Sequence, residues 1–335
     1  MYNQNSGYGA AILNMVASQV PTFGRIFVVF NSGDTDEGNY QMMQDIAKTD
    51  PNGVVRFYTS LSDAYDATES NNNDVILLDA NSTHSLSSGL AITKNRVHFM
   101  GMDGGDRLVQ QGAKVQLAAA ATTAYVMKNT GVRNSFRNIK FIQAATAATG
   151  LTVVQDGGEG GLYKNCSFVF ATAENLDQTD CFEFVAGSDS NTYINCTFGA
   201  DTLLTSAARA VMSIDQVTSG QEFKSNIFKD CTWIISSSSS TATHIRLSAV
   251  GDILYSNLFD RCNFVASVDS AGGAAIAESV QTGTGTVKGV LCFSHPATFN
   301  STDFATATSG RNTAIQMVGV VTTAGTGGIG VTPTA

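Results

Sequence analysis

Tyr163-Lys-Asn-Cys-Ser-Phe168 and Tyr193-Ile-Asn-Cys-Thr-Phe198 are one phrase written twice. A looser copy, Phe136-Arg-Asn-Ile-Lys-Phe141, precedes them, and Phe228-Lys-Asp-Cys-Thr-Trp233 and Phe259-Asp-Arg-Cys-Asn-Phe264 follow, so successive copies start 27, 30, 35 and 31 residues apart. A repeat of this period with one short apolar element per copy is the mark of a solenoid, in which each unit buries its apolar side only against its neighbours.

The apolar runs say which solenoid. Each spans only about four to six residues between Gly, Asn, Ser and Asp, which fits strands better than helices. A second run stands upstream of the later copies: Gly150 to Val154, Cys181 to Val185, Ala210 to Ile214, His244 to Ser248 and Ala275 to Ser279. Short strands separated by polar corners in a turn of about 30 residues describe a parallel β-helix, with equivalent residues stacked at the strand spacing of about 4.8 Å. Cys166, Cys196, Cys231 and Cys262, continued by Ile139, are expected to form an internal ladder. The Asn or Asp one place earlier is expected at a corner, bonded to local backbone.

Ahead of the repeats, Thr59 to Thr68 places Leu61, Ala64, Tyr65 and Ala67 on one helical face with a Ser or Thr to cap it. The strand-like Asp74-Val-Ile-Leu-Leu78, Gly89 to Thr93 and Val97-His-Phe-Met-Gly101 follow. This order resembles the entry to pectate-lyase-like right-handed β-helices, over roughly residues 55 to 320. The expected fold is therefore all-β, a right-handed parallel β-helix with a small α/β N-terminal cap. The expected organisation is an N-terminal arm (1–24), the cap (25–70), the β-helix (71–322) and a Gly/Thr-rich tail (323–335). The tail would cover an open strand edge or pair with a neighbouring subunit.

Composition narrows the function. Charged residues make up 14% and the formal net charge is −9, with no basic run, so nucleic acid and anionic membrane surfaces are disfavoured as partners. The six cysteines show no CxxC or Cys/His spacing, so they read as free buried thiols, Cys181 and Cys292 included. No metal or cofactor is expected. Asp34-Thr-Asp-Glu-Gly-Asn39 invites a calcium reading but has Gly fifth and no Glu at position twelve, so it reads as a turn opening a helix over about 39–48. No signal-like apolar run follows Met1, so synthesis in a cytoplasm is expected.

Carbohydrate-cleaving β-helices need paired carboxylates on an outward strand face. Aligning the upstream strands by Leu151, Phe182, Val211, Ile245, Ile276 and Ile315 brings Thr152, Glu183, Met212, Arg246, Ala277 and Gln316 into one column. That column holds one acid and one Arg, expected to be a surface pair or two solvated residues. No Asp-Asp, Gly-His-Gly or Arg-x-Lys motif occurs, and His84, His98, His244 and His295 belong to no motif. No catalytic residue is assigned and no enzyme is expected.

Arg25 to Gly101 carries a further resemblance. A strand ending Asn31-Ser-Gly-Asp34, a Met-rich helix, Asp50-Pro-Asn-Gly53, Val54-Val-Arg-Phe-Tyr58, the Ser-Leu-Ser-Asp-Ala helix and Asp-Val-Ile-Leu-Leu look like the opening of β-helical virion proteins of tailed bacteriophages. The resemblance implies a homotrimer made in the host cytoplasm and mounted on the virion, bound to the major capsid protein as a decoration or cement protein. The alternative is a tailspike or receptor-binding protein that binds or depolymerises a host surface glycan. Val126, Met212 and Val265 are candidate outward apolar positions for trimer contacts, subject to inversion by a one-residue slip.

Overall fold

A computed structural model describes residues 24–31, 44, 55–80, 82–103, 111–145, 152–171, 180–204, 210–214, 222–247, 253–267, 276–281, 289–299, 301–305 and 315–318, of which 201–204 and 301–303 as backbone only. The expected arm up to residue 23, the Asp34 loop, the helix over 39–48 apart from residue 44, and the tail lie outside the described residues. Among those described, the chain is a right-handed parallel β-helix with three parallel sheets, one of twelve strands and two of eight. Each coil crosses them in the same order. Leu162–Lys164 lies in the first sheet, Ser167–Phe170 in the second, Asp180–Phe184 in the third, and Thr192–Ile194 re-enters the first one rung on.

The repeated phrase is the bend between the first and second sheets. Its first aromatic ends up in a stack running Phe99, Phe136, Tyr163, Tyr193, Phe228, Phe259, Phe293, with ring centroids 4.5–5.1 Å apart. Its second aromatic builds a parallel stack of Phe141, Phe168, Phe198, Trp233 and Phe264 at 4.9–5.7 Å. Phe182 and Phe184 of the third sheet meet these stacks edge-on, closing the core. Stacks of this kind add to burial because offset and T-shaped rings satisfy each other's quadrupoles.

The chain turns at two residues per coil with left-handed backbone. One set, Asn138, Asn165, Asn195, Asp230, Arg261 and His295, has φ between 49 and 57° and links the first sheet to the second. The other, Asn73, Arg96, Arg133, Gly160, Ser190 and Ser225, stands three places before each first-sheet inward residue, with φ of 55 to 63°. Asn, Asp and Gly reach this region most readily, which explains their concentration at corners. The corner asparagines differ from expectation in their partners. Asn165 Nδ2 donates to Asn138 Oδ1 at 3.1 Å and Asn195 Nδ2 to Asn165 Oδ1 at 3.0 Å, and Arg261 grips Asp230 further along. Identical amides one rung apart each carry a donor and an acceptor, so they satisfy one another.

Ile139, Cys166, Cys196, Cys231 and Cys262 are all buried, at most 1% exposed, and the four cysteines are free. Burial pushes the Cys166, Cys196 and Cys231 thiols well up, with the neighbouring thiol of the next rung contributing. Cys292 departs from the expectation. It lies one place before Phe293 rather than three after a first aromatic, in register with Leu258 on the outer side of the first sheet, and is only half-buried. A thiol reagent applied to the native protein should therefore modify Cys292 well before Cys166, Cys196, Cys231 and Cys262. Peptide mapping after partial labelling checks this, and early modification of Cys196 would contradict the ladder.

The N-terminal end is closed by the helix Leu61–Ala67, whose Ser60 cap accepts from Asp63 N. Tyr65 stacks on Phe99, so the helix caps the first aromatic stack. Lys94 Nζ donates to the carbonyls of Tyr65, Asp66 and Thr68 at 2.9 Å, satisfying the helix C-terminus. A second apolar cluster, Val28, Phe30, Phe57, Val75, Leu77 and Met100, lies outside the main core. Arg25 locks this end by donating its backbone N–H and Nη2 to Asp74 at 2.8 Å each. Burial raises the Asp74 pKa, but Arg25 and the backbone N–H of Glu69 outweigh it and hold the carboxyl below the usual range.

Candidate functional site

The third sheet decides where an outward polar site could form. Its rungs pair Val154 with Phe182, Phe182 with Met212, Met212 with Ile245 and Ile245 with Val280. The neighbouring column is then Lys128, Gln155, Glu183, Ser213, Arg246 and Gln281. Glu183 and Arg246 do share a column, whereas Gln155, Ser213 and Gln281 stand where Thr152, Met212 and Ala277 were expected. Ile315–Val318 belongs to the first sheet, paired with Leu291 to Ser294.

The slip has a local cause. Val126 and Met127, Val153 and Val154, Cys181 and Phe182, and Val211 and Met212 are consecutive pairs buried in the main core. The period-two alternation therefore breaks once per strand. Aligning on the first large apolar residue of a run is off by one at Val211, and by three and four where Val154 and Val280 stand in register instead of Leu151 and Ile276. The same break corrects Val126 and Met212, which are fully buried and face no partner. Val265 is half-buried, in register with Ile234 and Phe299 on the second sheet.

Around Glu183 the outer face is polar and tightly bonded. Gln155 Nε2 donates to Glu183 Oε2 at 2.7 Å and Thr152 Oγ1 approaches the same oxygen at 3.5 Å. Arg246 does not pair with Glu183. Its Nη2 reaches Asp180 Oδ2 at 3.3 Å across two rungs. Asp180 and Glu183 thus lie three residues apart in one strand with a guanidinium alongside, a charged ledge able to hydrogen-bond a hydroxyl-rich ligand. Asp180, missed by the sequence reading, heads its strand, and only the register reveals that Arg246 can reach it.

One nucleophile-to-base distance occurs elsewhere. His98 Nδ1 lies 2.8 Å from Ser135 Oγ on neighbouring rungs of the first sheet. Burial lowers the His98 pKa to about 4, with Arg137 adding to the fall and Asp74 opposing it. The imidazole is therefore neutral near pH 7, but Ser135 is 5% exposed, and the pair reads as a structural bond. Among the described residues, no group of three or more His, Cys, Asp or Glu is placed to hold a metal ion.

A buried polar row that the sequence reading also missed lines the corner before the first sheet. Asn134, Asn191, Asn226 and Asn257 stand two places before the first aromatic of their coils. Each Oδ1 accepts from the backbone N–H of the equivalent residue one coil earlier (Val97, Gly161, Asn191 and Asn226) at 2.7–3.0 Å. The signal was legible as Asn-x-aromatic ahead of four copies of the phrase. Its role is structural.

No protein-family model and no curated protein sequence matches this chain. Among solved structures, it is similar to the deglycosylated pectin methylesterase from Aspergillus niger, with a TM-score of 0.50 and 12% identity over 88% of this chain and 86% of that one. The penultimately deglycosylated form of the same enzyme gives 0.50 and 11% over 86% and 93%. The likeness is one of fold, the parallel β-helix.

Proposed function

We propose that this chain is a structural β-helix that self-associates, as a trimeric decoration protein on a virion head bound to the major capsid protein. The observation that carries the self-association is the outer column of the second sheet at Ile234, Val265 and Phe299. None of these belongs to the main core cluster: Ile234 and Val265 are half-buried and Phe299 is 54% exposed. An acidic chain with a low share of charge and an apolar stripe along one side of a prism is suited to contact with copies of itself. The virion placement rests on the resemblance of Arg25 to Gly101. The expected result is a concentration-independent trimer by light scattering, converted to monomer by Phe299→Asp with Val265→Lys while the β-sheet circular dichroism is kept. Wild-type protein that runs as a monomer would overturn the reading. Antibody label spread over phage heads is expected, and label absent from particles would remove the virion role.

A second reading is favoured by the Asp180, Glu183, Gln155 and Arg246 ledge and by the carbohydrate-acting proteins that share the fold. Here the third sheet binds a surface polysaccharide. Polysaccharide retention by wild type that Arg246→Gln abolishes, with or without release of reducing ends, would support this reading. Equal retention by both proteins would count against it.

A further inference from the structure

Arg137 and Lys164 face each other on adjacent rungs of the first sheet, in a column that runs Met100, Arg137, Lys164, Ile194 and Lys229. Two like charges directly opposite on neighbouring strands are destabilising unless something neutralises them. Neither cation is among the ion pairs of the described residues, which join Arg25, Lys224, Arg246 and Arg261 to their carboxylates. Of the carboxylates of the neighbouring coils, Asp74 is engaged by Arg25 and Asp103 accepts from the backbone N–H of Gly112 with one oxygen, and neither forms an ion pair with Arg137 or Lys164. Arg137 is also partly desolvated. Its Nε is sealed from solvent without a hydrogen-bond partner, and burial lowers the pKa of the guanidinium. Charges taken out of water are ordinarily paired, so an unpaired guanidinium beside an unpaired ammonium, on a chain of net charge −9, calls for an anion.

We propose that Arg137 and Lys164 bind an oxyanion, a sulfate or carboxylate group of an acidic ligand. The guanidinium supplies a planar donor edge for two oxygens and the ammonium a mobile point charge. The site lies on the first sheet, apart from the Glu183 ledge on the third, and does not depend on either reading of function.

The test compares wild type, Arg137→Gln and Arg137→Gln with Lys164→Gln by thermal unfolding in sodium sulfate against sodium chloride at matched ionic strength. A bound anion gives a saturable rise in Tm on top of the linear drift that sulfate causes by exclusion from any protein surface. The expected result is a saturable component in wild type, weakened at least about tenfold in apparent affinity by Arg137→Gln and absent in the double variant. Because the substituted cations lack partners, neither variant is expected to lose stability in chloride alone. Identical sulfate curves for all three proteins would overturn the proposal, as would a clear loss of stability in chloride, which would mean the cations already have partners. Dextran sulfate titrated by calorimetry separates the sources. Binding lost in the double variant identifies an acidic polymer, whereas a sulfate response without polymer binding identifies a small free anion, and both support the site.

Discussion

Phe228→Ala should destabilise the β-helix by about 3–5 kcal/mol, the usual range for emptying a fully buried aromatic position. Phe228 is completely buried, stacked at 4.5 Å on both Tyr193 and Phe259. Its edge also meets Phe184 and its face is tilted against Trp233. Rigid backbone hydrogen bonds hold the flanking rungs at the strand spacing, so neighbouring rings cannot close the gap without breaking register. The loss should also be local in character. A solenoid's coils touch only their neighbours, so hydrogen exchange in the variant should quicken first in the rungs that contain Tyr193, Phe228 and Phe259, ahead of the N-terminal cap. Phe228→Leu keeps most of the volume and should recover a large part of the loss. Urea unfolding with exchange mass spectrometry checks both statements. A loss under about 1 kcal/mol for the alanine variant would mean that the stack is looser than its ring distances imply.

The same stack explains what the sequence could disclose. Solenoid folding forces identical environments one rung apart, and identical environments select similar residues at similar spacing. Tyr163, Tyr193, Phe228 and Phe259, with the cysteines three places later, are therefore visible as a phrase. Asn165 and Asn195 are visible for the same reason, but their partners are not. An amide bonded to the next rung's amide looks, in one sequence, like an amide bonded to its own turn. The third sheet was less legible because Cys181-Phe182 and Val211-Met212 bury both members of an apolar pair. An alignment that assumes strict alternation then slips at Val211, misplacing Met212 as well as Val126, whereas the approach of Arg246 to Asp180 crosses two rungs and is visible only in the register. The pairing of Arg137 with Lys164 depends on register alone. Nothing in Phe136-Arg-Asn or Tyr163-Lys-Asn marks those cations as lacking carboxylates, because the charges that could have neutralised them lie on other coils.

Asp156 should make wild-type stability fall as pH rises above the ordinary carboxylate range, the reverse of the usual acid denaturation. Its carboxyl is fully buried, and accepts from Tyr193 Oη at 2.6 Å, Asn129 Nδ2 at 2.9 Å and the backbone N–H of Gly158 at 3.1 Å. Burial pushes its pKa up, and these hydrogen bonds only partly offset the rise. In the unfolded chain the group titrates at about 3.9. The folded value lies above that, so the contribution to stability is complete below about pH 4 and is lost as pH climbs through the folded pKa. Asp156→Asn keeps the shape and an acceptor oxygen while removing the charge. Its stability should match wild type within about 1 kcal/mol at the acid end and flatten the decline at higher pH. Asp156→Ala instead orphans a buried phenol, an amide and a backbone N–H, at about 1–3 kcal/mol each, for a total of about 3–9 kcal/mol at the acid end and a smaller gap as wild type declines at higher pH. Urea unfolding of the three proteins from about pH 4 to about pH 8 measures each slope. A constant gap between wild type and Asp156→Asn across that range would mean that the carboxyl keeps one protonation state throughout. An Asp156→Asn loss as large as that of Asp156→Ala would mean that the corner cannot accommodate the amide, and that the hydrogen-bond network tolerates only the acid.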